Sequence, residues 1–137
     1  MQNKVHLSIV IVNYKVEKEL ESCISSIFKS KPEVEFEVIV VDNDRQSKIE
    51  HKLTERFPKV KYIASPGNIG FGAGNNLGAK YASGEYLFFL NPDTIVEKDS
   101  INELYSFIKR IGVVIFYWCI FITFYIPSKS ERTSSIY

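Results

Sequence analysis

Asn91-Pro92-Asp93 follows directly on the apolar run Tyr86–Leu90, so one carboxylate stands at the tip of what reads as a buried strand. Pro92 has no N–H to give a ladder and ends such a strand. A carboxylate with a carboxamide two residues earlier suits a hard divalent cation. Mg²⁺ or Mn²⁺ accepts one or two protein carboxylates when phosphate oxygens supply further ligands. Asp93 is therefore a candidate ligand for a metal that bridges a diphosphate and stabilises its departure. The same three residues would also serve a plain strand-ending turn.

Three other stretches carry polar residues in comparable places. Asp42 closes the run Phe36–Val41, where a short acceptor can hydrogen-bond a ribose hydroxyl or the N–H of a base. A turn or helix-cap aspartate is the bland alternative. Tyr14, beside Asn13 at the exit of a first apolar run, could stack on a flat base or simply pack. The glycine-dense "SPGNIGFGAG" could bring backbone N–H groups to phosphate at a helix start, or only make turns. It fits neither standard fingerprint. A G-x-G-x-x-G register begun at Gly70 meets Asn75 where the third glycine belongs, and one begun at Gly72 meets Leu77. No Lys-Ser or Lys-Thr follows a glycine pair, so a P-loop is excluded as well.

The elements that would position these residues alternate. Leu7–Val12 and Phe36–Val41 read as buried β-branched strands, "KVKYIA" as a third and Glu85–Leu90 as a fourth. Between them, Leu20, Cys23, Ile24, Ile27 and Phe28 recur at helical spacing, and Lys31-Pro32 closes that helix. Ile49, Leu53 and Phe57 mark a short second helix. A third is expected over Asn75–Ala82 with Leu77 and Tyr81 facing inward. Ser100 and Glu103 read as a capping box that opens a fourth, with Ile101, Leu104, Tyr105 and Ile108 as its apolar face. Alternation of this kind predicts a parallel α/β sheet with helices on both faces and right-handed crossovers. Ligands of such sheets sit outside the carboxyl ends of the strands, where all four polar stretches fall.

The 137 residues are 45% hydrophobic and 24% charged, which predicts one globular domain. A net charge of +1 without a basic aromatic stripe argues against a nucleic-acid partner. Cys23 and Cys119 lie far apart, so neither a disulfide framework nor a zinc site is expected, and Cys23 reads as a core residue. The N-terminus reads as lacking a secretory signal, and a cytoplasmic location is expected.

In combination, "LSIVIVNYK", "EVIVVDN" and "GNIGFGAGNNLGAKYASGEYLFFLNPDTIVEKD" resemble the family 2 glycosyltransferases, over roughly residues 5–114. The resemblance implies a Rossmann-like GT-A fold and a nucleoside-diphosphate-sugar donor with a Mg²⁺ or Mn²⁺ cofactor. The acceptor it implies is a glycan or lipid-linked hydroxyl, reached at the inner face of a membrane. It further implies that Asn13 and Tyr14 line the nucleobase pocket and that Asp42 contacts the nucleoside. The segment from Asn68 through Gly74 to Asn76 would complete the donor site, and Asn91 and Asp93 would stand for the D-x-D motif. Asn91 replaces the first carboxylate of that motif, as in rhamnosyltransferase-like members, which leaves the metal to Asp93 alone.

Beyond Val114 the resemblance stops, and residues 115–137 read as an apolar and then Ser-rich tail. The run 111–126 amounts to roughly 24 Å of helix, short of a bilayer core of about 30 Å. Lys109-Arg110 and Lys129 nevertheless flank it like interface anchors, so the tail is a candidate for membrane association. Inversion at a sugar carbon needs a base for the acceptor hydroxyl. Family members carry a catalytic aspartate well downstream, and the only acid past Val114 is Glu131. The expectation is a C-terminally truncated donor-binding half, weak or inactive in transfer. A non-catalytic nucleotide-binding remnant is the alternative.

Overall fold

The computed structural model describes residues 4–111 and 123–125. Strands β1 (Leu7–Asn13), β2 (Phe36–Asp42), β3 (Val60–Ala64) and β4 (Tyr86–Leu90) alternate with helices α1 (Glu17–Ser30), α2 (Ile49–Arg56), α3 (Phe71–Lys80) and α4 (Ser100–Ile111). A short strand β5 (Thr123–Tyr125) completes a sheet of order β3-β2-β1-β4-β5. The first four strands pair in parallel; β5 runs antiparallel to β4. Each end of the four parallel strands agrees with the sequence expectation to within a residue.

Residues alternate between the faces of a strand, and the core divides accordingly. Ile9 and Ile11 of β1, with Val38 and Val40 of β2, meet Leu20, Ile24 and Ile27 of α1, Leu53 of α2 and Ile101 of α4. Val10, Val12, Ile39 and Val41 turn the other way, toward Ala79 of α3. Both faces being covered, β1 is buried along its whole length. That explains its nearly continuous apolar sequence.

Two expectations are corrected. Helix α3 begins at Phe71, inside the glycine-dense segment, and ends at Lys80. Tyr81 therefore lies past its end and is 52% exposed instead of inward; Leu77 does pack against the core. Two glycines on one side of α3 make the early start possible. A Cβ on Gly74 would stand 2.9 Å from a Val12 methyl, and one on Gly78 2.4 Å from a Val10 methyl. The capping box is one residue out of place. Ser100 is already helical, and the Glu103 N–H donates to the Asp99 carbonyl.

The tail is mostly outside the described residues, and with it the candidate membrane run and Cys119. The β5 pairing, Phe88 opposite Phe124, is a strand that periodicity did not predict. Among the described residues no helix is long and apolar enough to cross a membrane.

Candidate functional site

The chain steps outward from β1 to β2 to β3, then crosses back through α3 to place β4 on the other side of β1. This reversal is the switch point at which open α/β sheets leave a crevice. In register, Asn13 stands opposite Asp42, and Ile11 opposite Leu90. Three strands therefore release their chains side by side. The cavity there measures about 320 Å³ and is walled by Tyr14, Asn43, Asn68, Phe71, Asn91 and Asp93, over Val12 and Val16.

Local backbone aims several of these groups. Lys15 adopts a left-handed conformation (φ 60°), which a non-glycine residue rarely does. It turns the chain between β1 and α1 at Tyr14, which is left 43% exposed with the Lys15 ammonium 5.2 Å from its ring centre. Gly70, at φ 86°, precedes the first residue of α3; its N–H is bound by the Asn68 side chain at 3.1 Å. The Asn43 amide donates to the Gly70 carbonyl (3.1 Å), tying the end of β2 to that turn. On the opposite wall, Cys23 Sγ contacts the Asn91 carbonyl at 3.6 Å and the Val96 N–H donates to Ser26 Oγ at 2.8 Å, so the loop after β4 is fastened to α1. Burial, with the nearby Asp93 charge, pushes the Cys23 thiol up to about 12, which keeps it an unreactive packing group.

Tyr14, Asn68, Asn91 and Asp93 are thus brought together, with Asp93 exposed in the wall. Asn13 and Asp42 are different. Both are buried (0% and 2% exposed) and face each other, Asn13 Nδ2 donating to Asp42 Oδ1 at 3.0 Å. The Tyr62 hydroxyl holds the other carboxylate oxygen at 2.8 Å, and the Asp44 N–H donates to Oδ1 at 3.0 Å. Asp42 therefore lies behind the wall in a three-point mount and is not among the cavity's lining residues. Burial, together with the bond to Asp42, raises the Tyr62 hydroxyl well above its ordinary pKa, so it remains a donor. Gly74 packs α3 on Val12 and Asn76 is half-buried along the same helix; neither lines the cavity.

Sequence reasoning missed Tyr62, and it did not single out Asn43 or Phe71 within the stretches it pointed to. Phe71 is 46% exposed and shares the cavity with Tyr14, giving it two aromatic walls. A signal for Tyr62 existed. It pairs with Val40, two residues before Asp42 on the same strand face, close enough for a long side chain to reach diagonally. Among the described residues the amide oxygens of Asn13 and Asn43 are buried without a partner; Asn43 lines the cavity, whereas Asn13 lies behind it with Asp42.

Asp93 is the sole carboxylate in the cavity lining, and among the described residues no group of three or more His, Cys, Asp or Glu could cage a metal. A hard cation would fit this donor set only if a ligand's oxygens completed its shell, as Mg²⁺ and Mn²⁺ with a diphosphate permit.

A doubly covered parallel sheet with a polar crevice at its switch point defines a Rossmann-like α/β protein. Residues 8–136 match the model of glycosyl transferase family 2, and the chain belongs to that family. It is 36% identical over 104 residues to the low-salt glycan biosynthesis hexosyltransferase Agl10 of Haloferax volcanii, covering 73% of this chain and 32% of that protein. To the poly(ribitol-phosphate) beta-N-acetylglucosaminyltransferase TarS of Staphylococcus aureus it is 29% identical, covering 75% and 19%. The solved structure of TarS residues 1–349 with UDP-GlcNAc superimposes with a TM-score of 0.65 at 25% identity, over 77% of this chain and 31% of that one. The fold is also shared with a mannosyltransferase of Pyrobaculum calidifontis solved with GDP-Man and Mn²⁺ (TM-score 0.70, 15% identity, 82% and 35% covered). The fold is GT-A. The chain spans about a third or less of the length of these relatives.

Proposed function

We propose that this chain forms the donor site of an inverting glycosyltransferase, which moves a sugar from a nucleoside diphosphate to a hydroxyl of a glycan or lipid-linked acceptor. The observation that carries the reading is the convergence of Tyr14, Asn68, Asn91 and Asp93 on one crevice at the ends of β1, β3 and β4. The base lies between Tyr14 and Phe71. The nucleoside is fixed near the Asp42 mount. Asp93 would hold the Mg²⁺ or Mn²⁺ on the side of the crevice that takes the diphosphate. When bound, the cation supplies positive charge to the leaving diphosphate. The TarS likeness, solved with a nucleotide sugar, supports the same reading.

Transfer also requires a base that takes the acceptor's proton. Among the described residues lining the crevice, Asp93 is the one carboxylate, and it would be committed to the cation. The base is therefore assigned beyond the described residues, and residues 4–111 alone bind donor without turning it over.

Calorimetry with UDP, dTDP and GDP, with and without Mn²⁺, tests this. The expected result is Mn²⁺-dependent binding of at least one diphosphate, weakened tenfold or more in Asp93→Ala. If none of the three binds, or if binding ignores both the metal and Asp93, the donor-site reading is wrong.

A further inference from the structure

A second and larger concavity, of about 610 Å³, runs along the outer side of α1 between α2 and the loop after β4. Lys18, Lys29, Lys52, Arg56 and Lys98 border it, against one carboxylate, Glu21. Five cations to one acid is a sharp local excess in a chain whose net charge is only +1. Glu21 binds Lys52 Nζ at 2.5 Å and Arg56 Nη1 at 2.7 Å, and is itself largely shielded. It cancels one of those charges while fixing both groups at the rim. Lys18, Lys29 and Lys98 form no ion pair among the described residues. Along α1 the lining between the cations includes four serines, Ser22, Ser25, Ser26 and Ser30. Ser22, Ser26 and Ser30 each donate back to an α1 carbonyl, and Ile95 and Val96 of the loop after β4 form the facing wall.

We infer that this groove binds the phosphate groups of an extended, phosphate-bearing chain, and that this chain is the acceptor. Length argues for a chain over a single anion. Lys18 and Lys29 are eleven residues apart, about 16 Å along the helix, which exceeds the reach of one phosphate. The lining contains no aromatic ring on which a nucleobase could stack, which argues against nucleic acid. Its concavity suits a strand better than a flat lipid surface. The loop that carries Asn91 and Asp93 into the donor crevice continues through Ile95, Val96 and Lys98 into the groove, so one loop walls both sites. The assignment to the acceptor rests on the glycosyl-transfer reading; phosphate binding by the groove does not.

The test uses the full chain and the triple variant Lys18→Glu/Lys29→Glu/Lys98→Glu, whose changes are all at exposed positions. Four probes are titrated separately: long-chain polyphosphate, inorganic phosphate, phosphatidylglycerol vesicles and mixed-sequence single-stranded RNA. UDP with Mn²⁺ is measured in parallel. Polyphosphate should bind tightest, losing on the order of tenfold in affinity between about 50 and 200 mM salt as counterions are released. The triple variant should bind it at least tenfold more weakly while its UDP affinity stays the same. Polyphosphate affinity unchanged in the variant overturns the inference. So does tighter binding of vesicles or RNA, or polyphosphate no tighter than inorganic phosphate. Loss of UDP binding with polyphosphate binding intact would sink the donor reading and leave the groove standing.

Discussion

Asp42 shows how much a single residue's meaning depends on a neighbour that sequence distance hides. Its place at a strand end was legible from the apolar run before it. Its confinement was not, because Tyr62 reaches it from another strand and Asn13 from a third. Tyr62→Phe should cost about 1.5–3 kcal/mol of stability, the worth of a hydrogen bond to a charged group. It should also weaken UDP binding several-fold by freeing the carboxylate to swing. Urea melts and calorimetry read the two effects, and unchanged UDP affinity would detach Asp42 from the nucleoside. A second carboxylate is mounted just as firmly at the far end of the sheet. Burial alone would push Glu37 up, but the Ser8 and Ser83 hydroxyls, the Ser83 N–H and Lys61 outweigh it and hold it below 4.5. A lowered folded-state pKa contributes stability that is complete above about 4.5 and is lost as pH falls through the folded value. Melting temperatures from pH 7 down to 3 should therefore fall less steeply in Glu37→Gln than in the wild type, from a starting point about 1–3 kcal/mol less stable.

At the scale of elements, repetition of apolar residues was a good guide wherever packing and intrinsic propensity agreed. Helices α1 and α2 and the four parallel strands could be read from spacing to within about a residue at most ends. It failed at α3, whose first turn, Phe71–Gly74, carries two glycines that disfavour helix. There the close approach to β1 and β2 decides, and only residues without a Cβ permit it. The same contest sets the sign of a mutation. Gly78→Ala gains roughly 1 kcal/mol of helix propensity. It also forces a methyl against Val10 Cγ1 at 2.4 Å and Val41 Cγ2 at 3.1 Å, and overpacking of that kind costs about 1–3 kcal/mol. The net expectation is destabilisation of up to about 2 kcal/mol, seen as a lower denaturation midpoint with unchanged slope. A stabilised variant would mean that α3 can lift from the sheet.

For the whole molecule, the parallel sheet and its switch point followed from the β-α alternation, whereas its outer edge did not. β5 lies in an apolar stretch whose pattern fits strand, core helix and membrane segment equally well, because a run without polar interruptions carries no period. Its pairing with Leu87, Phe88 and Phe89 covers the free side of β4, a strand buried from Leu87 to Leu90. Unpaired, that side would present apolar residues and a row of open backbone groups, the template on which strands from other copies add. Ending the chain after Ile111 should therefore leave the β1–β4 core folded but self-associating. Light scattering across a dilution series should show a mass that rises with concentration, and adding a peptide spanning 120–128 should reverse it. A truncated chain that stays monomeric throughout would show that α4 or a loop already shields the edge, and that β5 is dispensable to the sheet.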